Sequence, residues 1–205
     1  MTDAPLTYAL LVMNIIVSGY AFYMDRGLIE RYSLHVGAVL RNKEYYRLIT
    51  SGFLHGHPFH LLFNILTLYY FGSNIEAAIG SSGFGIVYLG SLIISGAVAV
   101  YIKRYNWNYS AIGASGAITG IVFSFCLFWP TAKLYLLFIP VGIPAIIFAA
   151  IYTAYSMYAM NDRQTGGGIA HEAHPGGSAW WRYPYDLPST ASRVKFPGKT
   201  QLVTQ

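Results

Sequence analysis

The sequence has few charged side chains. Of its 205 residues, 13 are basic and 8 are acidic, so charged residues make up 10%, against about 25% in ordinary soluble domains. Apolar residues make up 55% and lie in long runs without charge. Such a deficit of charge excludes an ordinary water-soluble surface and predicts a multi-pass membrane protein.

Cysteine and clustered basic charge are scarce as well. Cys126 is the only cysteine, which excludes a disulfide within the chain and, in apolar surroundings, indicates an inert core residue. The net charge of +5 is spread over loops and tail, which argues against a nucleic-acid partner. Residues 1–4 carry Asp3 and no basic residue, unlike a signal peptide, so we expect the first apolar run to be a retained span.

Five apolar segments are long enough to cross a bilayer core of about 30 Å. They are residues 6–24, 51–72, 84–102, 111–130 and 134–160, the last interrupted by Pro140 and Pro144. A sixth element, starting near Gly166, is weakly apolar because it contains two histidines, a glutamate and Pro175. The sequence therefore predicts an all-α polytopic membrane helix bundle with five clear spans and a short or incomplete sixth.

Two segments are polar enough to lie outside the hydrocarbon. Residues 25–47 mix acidic and basic residues with apolar ones, as an interfacial loop with amphipathic helices does. Residues 178–205 form a polar tail, which leaves 1–177 as the membrane domain. A count of basic residues mildly favours the first loop being cytoplasmic.

A serine in membrane-type sequence is the most informative single residue. Ser115 stands in Gly113-Ala114-Ser115-Gly116, and His171 and His174 follow about sixty residues later. A hydroxyl at a helix start, beside glycines and within reach of a histidine, is what nucleophilic catalysis requires. The alternative is packing, because Gly116 begins a Gly-x-x-x-Gly pattern that lets helix backbones approach closely.

Other polar residues also have two interpretations, a role in a functional site or a role in the structure. His60 and Asn64 are one helical turn apart and share a face, so they could donate to an oxyanion or merely link helices. The histidines could instead bind zinc, but no cysteine and no His-Glu-x-x-His accompany them; they are His55, His57, His60, His171 and His174. Glu76 follows the second span and is predicted to accept hydrogen bonds from backbone amides of a loop.

Five motifs between residues 46 and 177 together resemble the rhomboid family of intramembrane serine proteases. They are the run from Arg47 to His55, His60-x-x-x-Asn64, Phe71-Gly72 with Glu76, Gly113-x-Ser115-Gly116, and Ala170-His171-Glu172-Ala173-His174-x-Gly176-Gly177. The family's tryptophan–arginine pair in the first loop reads Tyr46-Arg47 here.

The resemblance implies six spans around a water-filled cavity in the cell (inner) membrane, with transmembrane helices as substrates and no metal or cofactor. It implies Ser115 as nucleophile and His174 as base and then acid, because Gly177 follows His174 at the family's spacing. The oxyanion hole would consist of His60, Asn64 and the Ser115 N–H. Supporting roles fall to Gly113, Gly116, His55, His171, Glu76 and Arg47.

The same resemblance places the first loop outside the cytoplasm, contrary to the charge count, and we follow the family. The last span departs from the family pattern. Pro175 follows His174 where the family usually has leucine, and polar sequence begins soon after Trp181. Because proline inside a helix costs about 3 kcal/mol or more, a bundle that binds transmembrane helices without cleaving them is the alternative function.

Overall fold

The computed structural model describes residues 4–136 and 139–151, and most of them are helical. The helices are α1 (Pro5–Tyr23), α2 (Gly27–Tyr32), α3 (Val36–Arg41), α4 (Arg47–Thr50), α5 (Pro58–Thr67), α6 (Ser73–Ile102) and α7 (Ser115–Phe128). A 3-10 turn (Ser51–Phe53) follows α4, a π-helical turn (Leu68–Gly72) joins α5 to α6, and residues 145–151 are helical.

Two short antiparallel strand pairs accompany the helices. Strand β1 (Leu34–His35) pairs with β2 (Ser110–Ala111), and β3 (Lys133–Leu136) pairs with β4 (Ile139–Pro144). In the first pair Leu34 is opposite Ala111, and in the second Leu134 is opposite Ile143. The predicted helical bundle is therefore present in the described residues, with strand pairs that the sequence analysis did not predict.

The chain reverses direction at Gly80, where φ is 75° and the helical conformation of α6 is interrupted. Before this point Glu76 contacts Leu6 near the start of α1, and after it Gly85 lies against Leu6 again. Further on, Leu92 of α6 packs against Gly52, at the other end of the bundle. The segment Pro58–Ile102 thus runs one way, turns at Gly80 and returns.

Two helical stretches of the described chain are long and apolar enough to cross a membrane, Pro5–Tyr23 and Pro58–Ile102. The second has 45 residues and would measure about 68 Å if straight, roughly twice a bilayer core. Helix α7 is apolar but shorter. The turn at Gly80 separates the predicted second and third spans.

Several predicted span limits were wrong. The second span does not begin at residue 51, because the helix starts only at Pro58, a residue that favours a first helical position, after an extended His57. The fourth does not begin at residue 111. Gly113 has a φ of 121°, which no right-handed helix allows, so α7 begins at Ser115 and ends at Phe128.

The predicted fifth span, 134–160, is contradicted in its first half. Residues 133–136 and 139–144 form the β3–β4 hairpin instead of a helix. Pro140 and Pro144 lack the amide donor that a helix interior needs, and the β-branched residues between them favour extended backbone. The rest of this span beyond residue 151, the sixth element and the tail 178–205 lie outside the described residues.

Helices α6 and α7 pack unusually closely through the Gly-x-x-x-Gly pattern. A methyl group on Gly116 would lie 2.0 Å from Oγ of Ser95, and one on Gly120 would lie 1.9 Å from Oγ of Ser91. Because the partner number falls as the glycine number rises, the two helices are antiparallel. The close helix packing that was the alternative interpretation of this pattern is therefore present, and the supporting role of Gly116 in the site stays a prediction.

Glu76 caps α1 from outside that helix. Its carboxylate accepts hydrogen bonds from the backbone N–H groups of Leu6 (2.9 Å) and Thr7 (2.7 Å), and Ser81 donates to it as well. The residue before α1 is Ala4, which has no side-chain acceptor for these amides. The buried carboxylate therefore satisfies donors that would otherwise be orphaned, and it faces the positive end of the helix dipole.

Arg47 fastens the first loop. Its guanidinium is almost fully buried and donates to the carbonyl oxygens of Glu30 (3.1 Å) and Ser33 (2.9 Å) and to the carboxylate of Glu44 (2.6 Å). Strand β1 directly follows Ser33 and pairs with β2, and β2 ends four residues before Ser115. The loop is thus tied to the segment that leads into α7.

Glu44 is the counter-ion of Arg47 and stays ionised. Hydrogen bonds from Asn42, Arg47 and Tyr46 lower the pKa of its carboxyl to about 2. Because the folded-state pKa lies below the ordinary value of 4.5, the stabilisation from this carboxylate is present at neutral pH. It is lost as the pH falls from about 4.5 through about 2.

We expect Gly120→Ala to destabilise the bundle by about 1–3 kcal/mol, because the new methyl group overlaps Ser91. Thermal unfolding in detergent measures this, with Gly90→Ala as the matched control. Gly90 is also helical, but a methyl group there meets nothing within 4 Å, so that change should be neutral or slightly stabilising. Adding Ser91→Gly to Gly120→Ala should recover much of the loss; equal effects of the two alanine variants would contradict the packing.

We expect Glu76→Gln to lower the free energy of unfolding by about 1–2 kcal/mol. Leu6 and Thr7 donate to different carboxylate oxygens, and in glutamine one of these is replaced by an NH2 donor, which cannot accept. The control is Glu30→Gln, which neutralises an exposed carboxylate whose contact with Arg47 runs through its backbone carbonyl. Chemical unfolding monitored by circular dichroism compares the two. A loss no larger than that of the control would show that the cap contributes nothing.

Candidate active site

Ser115 is the first residue of α7 and is half-buried. The preceding residue, Ala114, has no side chain that could cap the helix. The first amides of any helix lack partners within it and carry partial positive charge. The hydroxyl of Ser115 therefore lies at the end of α7 where negative charge is favoured, as the sequence analysis expected.

Gly113 turns the chain into α7 beside His60. Its N–H donates to the carbonyl of Ser51 (2.9 Å), and its φ of 121° is a conformation that L-residues rarely adopt. A methyl group on Gly113 would lie 2.6 Å from Cε1 of His60. Glycine is required here both by backbone conformation and by the close approach of the imidazole. The ring of His60 thus lies against the turn two residues before Ser115.

His60 is in the first turn of α5, where local contacts fix its backbone. Nδ1 of His57 caps this helix by accepting from the His60 N–H (3.1 Å). One turn later, Nδ2 of Asn64 donates to the His60 carbonyl (3.1 Å), and Asn64 is buried. The two residues therefore share one helix face as predicted, with the Asn64 amide bonded to backbone.

His55 lies beneath His60 and is fully buried. Oγ of Ser18 contacts Nδ1 of His55 (2.8 Å) and donates to the carbonyl of Phe53 (2.9 Å). Because a hydroxyl has one hydrogen, Nδ1 of His55 is the donor in the first contact, which leaves Nε2 as an acceptor. The His55 and His60 rings meet edge to face with centroids 5.0 Å apart.

Two imidazole nitrogens at this site have no hydrogen-bond partner among the described residues. They are Nε2 of His55 and Nε2 of His60, and both are buried. Buried polar atoms normally have partners, so these two nitrogens mark a polar cluster at this end of the bundle. The side chains of Ser18, His55 and His60 thus form one continuous polar layer. This layer ends beside the Gly113 turn.

Ser18 was missed by the sequence analysis. A signal was available, because the polar residues Thr7, Asn14 and Ser18 are spaced seven and four apart in an otherwise apolar helix. That spacing places them on one face, and all three are buried. Ser18 is the member of this face that reaches the histidines.

The other predicted residues are dispersed. Gly116 packs against Ser95, and Arg47 binds the first loop rather than Ser115. Glu76 contacts Leu6 near the start of α1, whereas His55 contacts Ser18 near its other end, so Glu76 and the histidines are at opposite ends of the bundle. The two histidines predicted near the C-terminus, His171 and His174, lie outside the described residues.

A metal site finds no support in the described part of the chain. Within it, no group of three or more histidine, cysteine, aspartate or glutamate side chains is arranged to hold a metal ion. His55, His57 and His60 are near one another as rings, but Nδ1 of His57 accepts from a backbone amide and Nδ1 of His55 is engaged with Ser18.

Comparison with known proteins identifies the family. Residues 42–180 match the model of the rhomboid domain. Rhomboid protein 1, mitochondrial, of Saccharomyces cerevisiae is 29% identical over 177 residues, which cover 84% of this chain and 50% of the yeast protein. The putative rhomboid protease YdcA of Bacillus subtilis is 35% identical over 113 residues, or 55% of this chain and 54% of YdcA.

A mammalian relative is similar as well. The mouse presenilin-associated rhomboid-like protein, mitochondrial, is 31% identical over 147 residues, which cover 67% of this chain and 37% of that protein. This chain therefore spans about half or less of the length of the curated relatives that it matches. The domain match covers well over half of the present sequence and includes Ser115, His60 and Asn64. The chain belongs to the rhomboid family.

Proposed function

We propose that this protein is an intramembrane serine endopeptidase that cleaves transmembrane helices with a dyad of Ser115 and His174. The observation that carries the proposal is the position of Ser115 at the first residue of α7, next to a glycine turn against which the His60 imidazole is packed. A nucleophile beside oriented hydrogen-bond donors is the arrangement that acyl transfer requires.

In the proposed mechanism, His174 accepts the proton of the Ser115 hydroxyl while Oγ attacks the scissile carbonyl carbon. The carbonyl oxygen gains negative charge, which the N-terminal amides of α7 and the imidazole of His60 stabilise. The tetrahedral intermediate then collapses, and His174 gives its proton to the leaving amine. Water attacks the resulting acyl-enzyme with His174 again as base, which releases the second product and restores Ser115.

The buried histidines support the oxyanion role. A neutral imidazole can donate one ring proton, and a buried ring nitrogen without a partner among the described residues is available to a substrate oxygen. His55, held by Ser18, packs its ring against His60 and limits the orientations open to that ring. A fixed donor contributes more than a mobile one because little reorganisation accompanies the reaction.

The second candidate is a rhomboid that binds transmembrane helices without cleaving them. The observation in its favour is Pro175, directly after the proposed base, with a polar sequence soon afterwards. Within a helix this proline would disturb the backbone that carries His174, whereas in a first turn it would be harmless. The two candidates share the bundle and differ only in proton transfer at Ser115.

Ser115→Ala and His174→Ala should each reduce cleavage of a model transmembrane substrate in proteoliposomes by at least about 1,000-fold, because nucleophile and base act as one unit. Ser124→Ala is the matched control: it removes a hydroxyl from the same helix that is bonded to the Gly120 carbonyl, and it should cleave like the wild type. A fluorophosphonate probe should label the wild type and not Ser115→Ala. Folded wild-type protein that neither cleaves nor takes the label would contradict the protease and leave helix binding as the remaining candidate.

Asn64→Ala should lower the rate constant for cleavage by about 100-fold if its amide helps to stabilise the oxyanion. Asn74→Ala is the control, because Asn74 makes the same amide contact to the carbonyl four residues earlier but is exposed. Both variants lose the same kind of amide-to-carbonyl contact, so an effect of that local contact would appear in both. Equal cleavage by both would remove Asn64 from the oxyanion hole.

A further inference from the structure

The described structure gathers basic residues that are far apart in the sequence. Helix α3 docks on the loop after α6, where the Val36 N–H donates to the Tyr109 carbonyl (3.0 Å) and the Gly37 N–H donates to the Trp107 carbonyl (3.0 Å). This contact brings Arg41 over the Trp107 ring. We call the basic and aromatic residues at the end of α3 and in the segment after α6 the basic–aromatic face. Its members are Arg41, Lys43, Lys103, Arg104, Tyr105 and Trp107.

Aromatic rings hold the cations of this face. The guanidinium carbon of Arg41 is 3.8 Å from the centroid of the Trp107 ring, and that of Arg104 is 4.6 Å from the centroid of the Tyr105 ring. A guanidinium over a ring keeps its in-plane N–H groups available for hydrogen bonds. Nη1 of Arg104 uses one of them on the Tyr101 carbonyl (2.8 Å). The rings are accessible, since Tyr105 is 80% exposed and Trp107 is 39% exposed.

The acidic residues of this end of the molecule do not neutralise the face. Asp25 is paired with Arg31, and Glu44 is paired with Arg47. Glu30 contributes its carbonyl to Arg47 and is exposed. In the described residues, none of the four cations of the basic–aromatic face is within salt-bridge distance of a carboxylate.

Helix capping accounts for only part of this arrangement. Lys103 and Arg104 follow the last turn of α6, where positive charge is favoured in any helix. Arg41 and Lys43 are at the C-terminal end of a different helix, α3, where the helix dipole favours positive charge as well. Lys43 adopts a φ of 60°, the left-handed conformation that glycine usually occupies after a helix. Capping explains this conformation but favours glycine in it, and a lysine there costs about 1 kcal/mol or more.

The location indicates the partner. The face begins where the apolar segment Pro58–Ile102 ends, and exposed tyrosine and tryptophan at that level are typical of the membrane–water interface. Cations beside such rings meet lipid phosphates, whose negative charge complements theirs. We propose that the basic–aromatic face binds the phosphates of anionic phospholipid headgroups and so prefers an anionic over a zwitterionic bilayer.

The test compares two lipids around the full-length protein in phosphatidylcholine nanodiscs. Energy transfer from tryptophan to dansyl-phosphatidylglycerol, relative to dansyl-phosphatidylcholine, gives the preference for the anionic headgroup. The wild type should favour phosphatidylglycerol. The preference should fall about fivefold for each cation neutralised. The triple variant Lys43→Gly/Lys103→Gln/Arg104→Gln should show almost no preference for either lipid. Equal transfer in the wild type, or an unchanged preference in the triple variant, would overturn the proposal.

Two controls separate the lipid site from general charge and from folding. Lys133→Gln removes an exposed cation beyond the opposite end of α7 and should keep the wild-type preference. Lys43→Gly should lower the preference while the melting temperature stays equal or rises, because glycine adopts this φ without strain. If Lys133→Gln loses as much as Lys43→Gly, the effect is only net charge and the proposal fails.

A free-anion site is distinguished by competition. Inorganic phosphate, added at constant ionic strength, should leave the lipid preference of the wild type unchanged, because a free anion gains nothing from the exposed rings at the interface. If inorganic phosphate abolishes the preference, the face is a site for soluble anions and the assignment to lipid is overturned.

Discussion

The near contact between α6 and α7 is the constraint on which the candidate site depends. Gly116 and Gly120 allow the backbone of α7 to approach Ser95 and Ser91 at distances that no larger residue permits. Ser115 directly precedes Gly116 in α7. The position and orientation of its side chain therefore follow from how closely α7 packs against α6. The position of the hydroxyl is therefore a property of two glycines as much as of the serine.

A second constraint acts from the other side. The turn at Gly113 accepts only glycine, because of its φ and because the His60 ring occupies the space of a side chain. Behind His60, the imidazole of His55 is bound to Ser18. Polar groups of this kind are costly in an apolar bundle unless they are satisfied or used, and the buried layer leads from α1 directly to the turn before α7.

The sequence predicted the parts of this arrangement that have short-range causes. Ser115 at a helix start, the shared face of His60 and Asn64, and the close approach of Gly116 and Gly120 follow from motif and helical spacing. The limits of the spans did not follow, because hydropathy does not register the extended His57 or the positive φ of Gly113. A run as apolar as 134–160 scores as a span whether it folds as helix or hairpin, and Pro140 and Pro144 decide for the hairpin in its first half.

Contacts between distant segments were beyond the reach of sequence patterns. Basic residues that look scattered along the chain come together only because α3 docks on the loop after α6. The contact of Ser18 with the histidines becomes evident only from the packing of α1 beside His55. The dyad partner stays a prediction from motif spacing, since His174 is outside the described residues, and the local backbone around Pro175 decides whether its imidazole reaches Ser115.

The cap that Glu76 provides for α1 has a consequence for biosynthesis. The acceptor is 70 residues further along the chain than the Leu6 amide that it satisfies. While the ribosome adds those residues, the first amides of α1 have no carboxylate to bind, and hydrocarbon offers none. Until Glu76 has been synthesised and has folded against α1, the first amides of the nascent helix must stay hydrogen-bonded to water or lipid headgroups. Final seating of α1 is thus a late event in assembly, although this helix is synthesised before the residue that caps it.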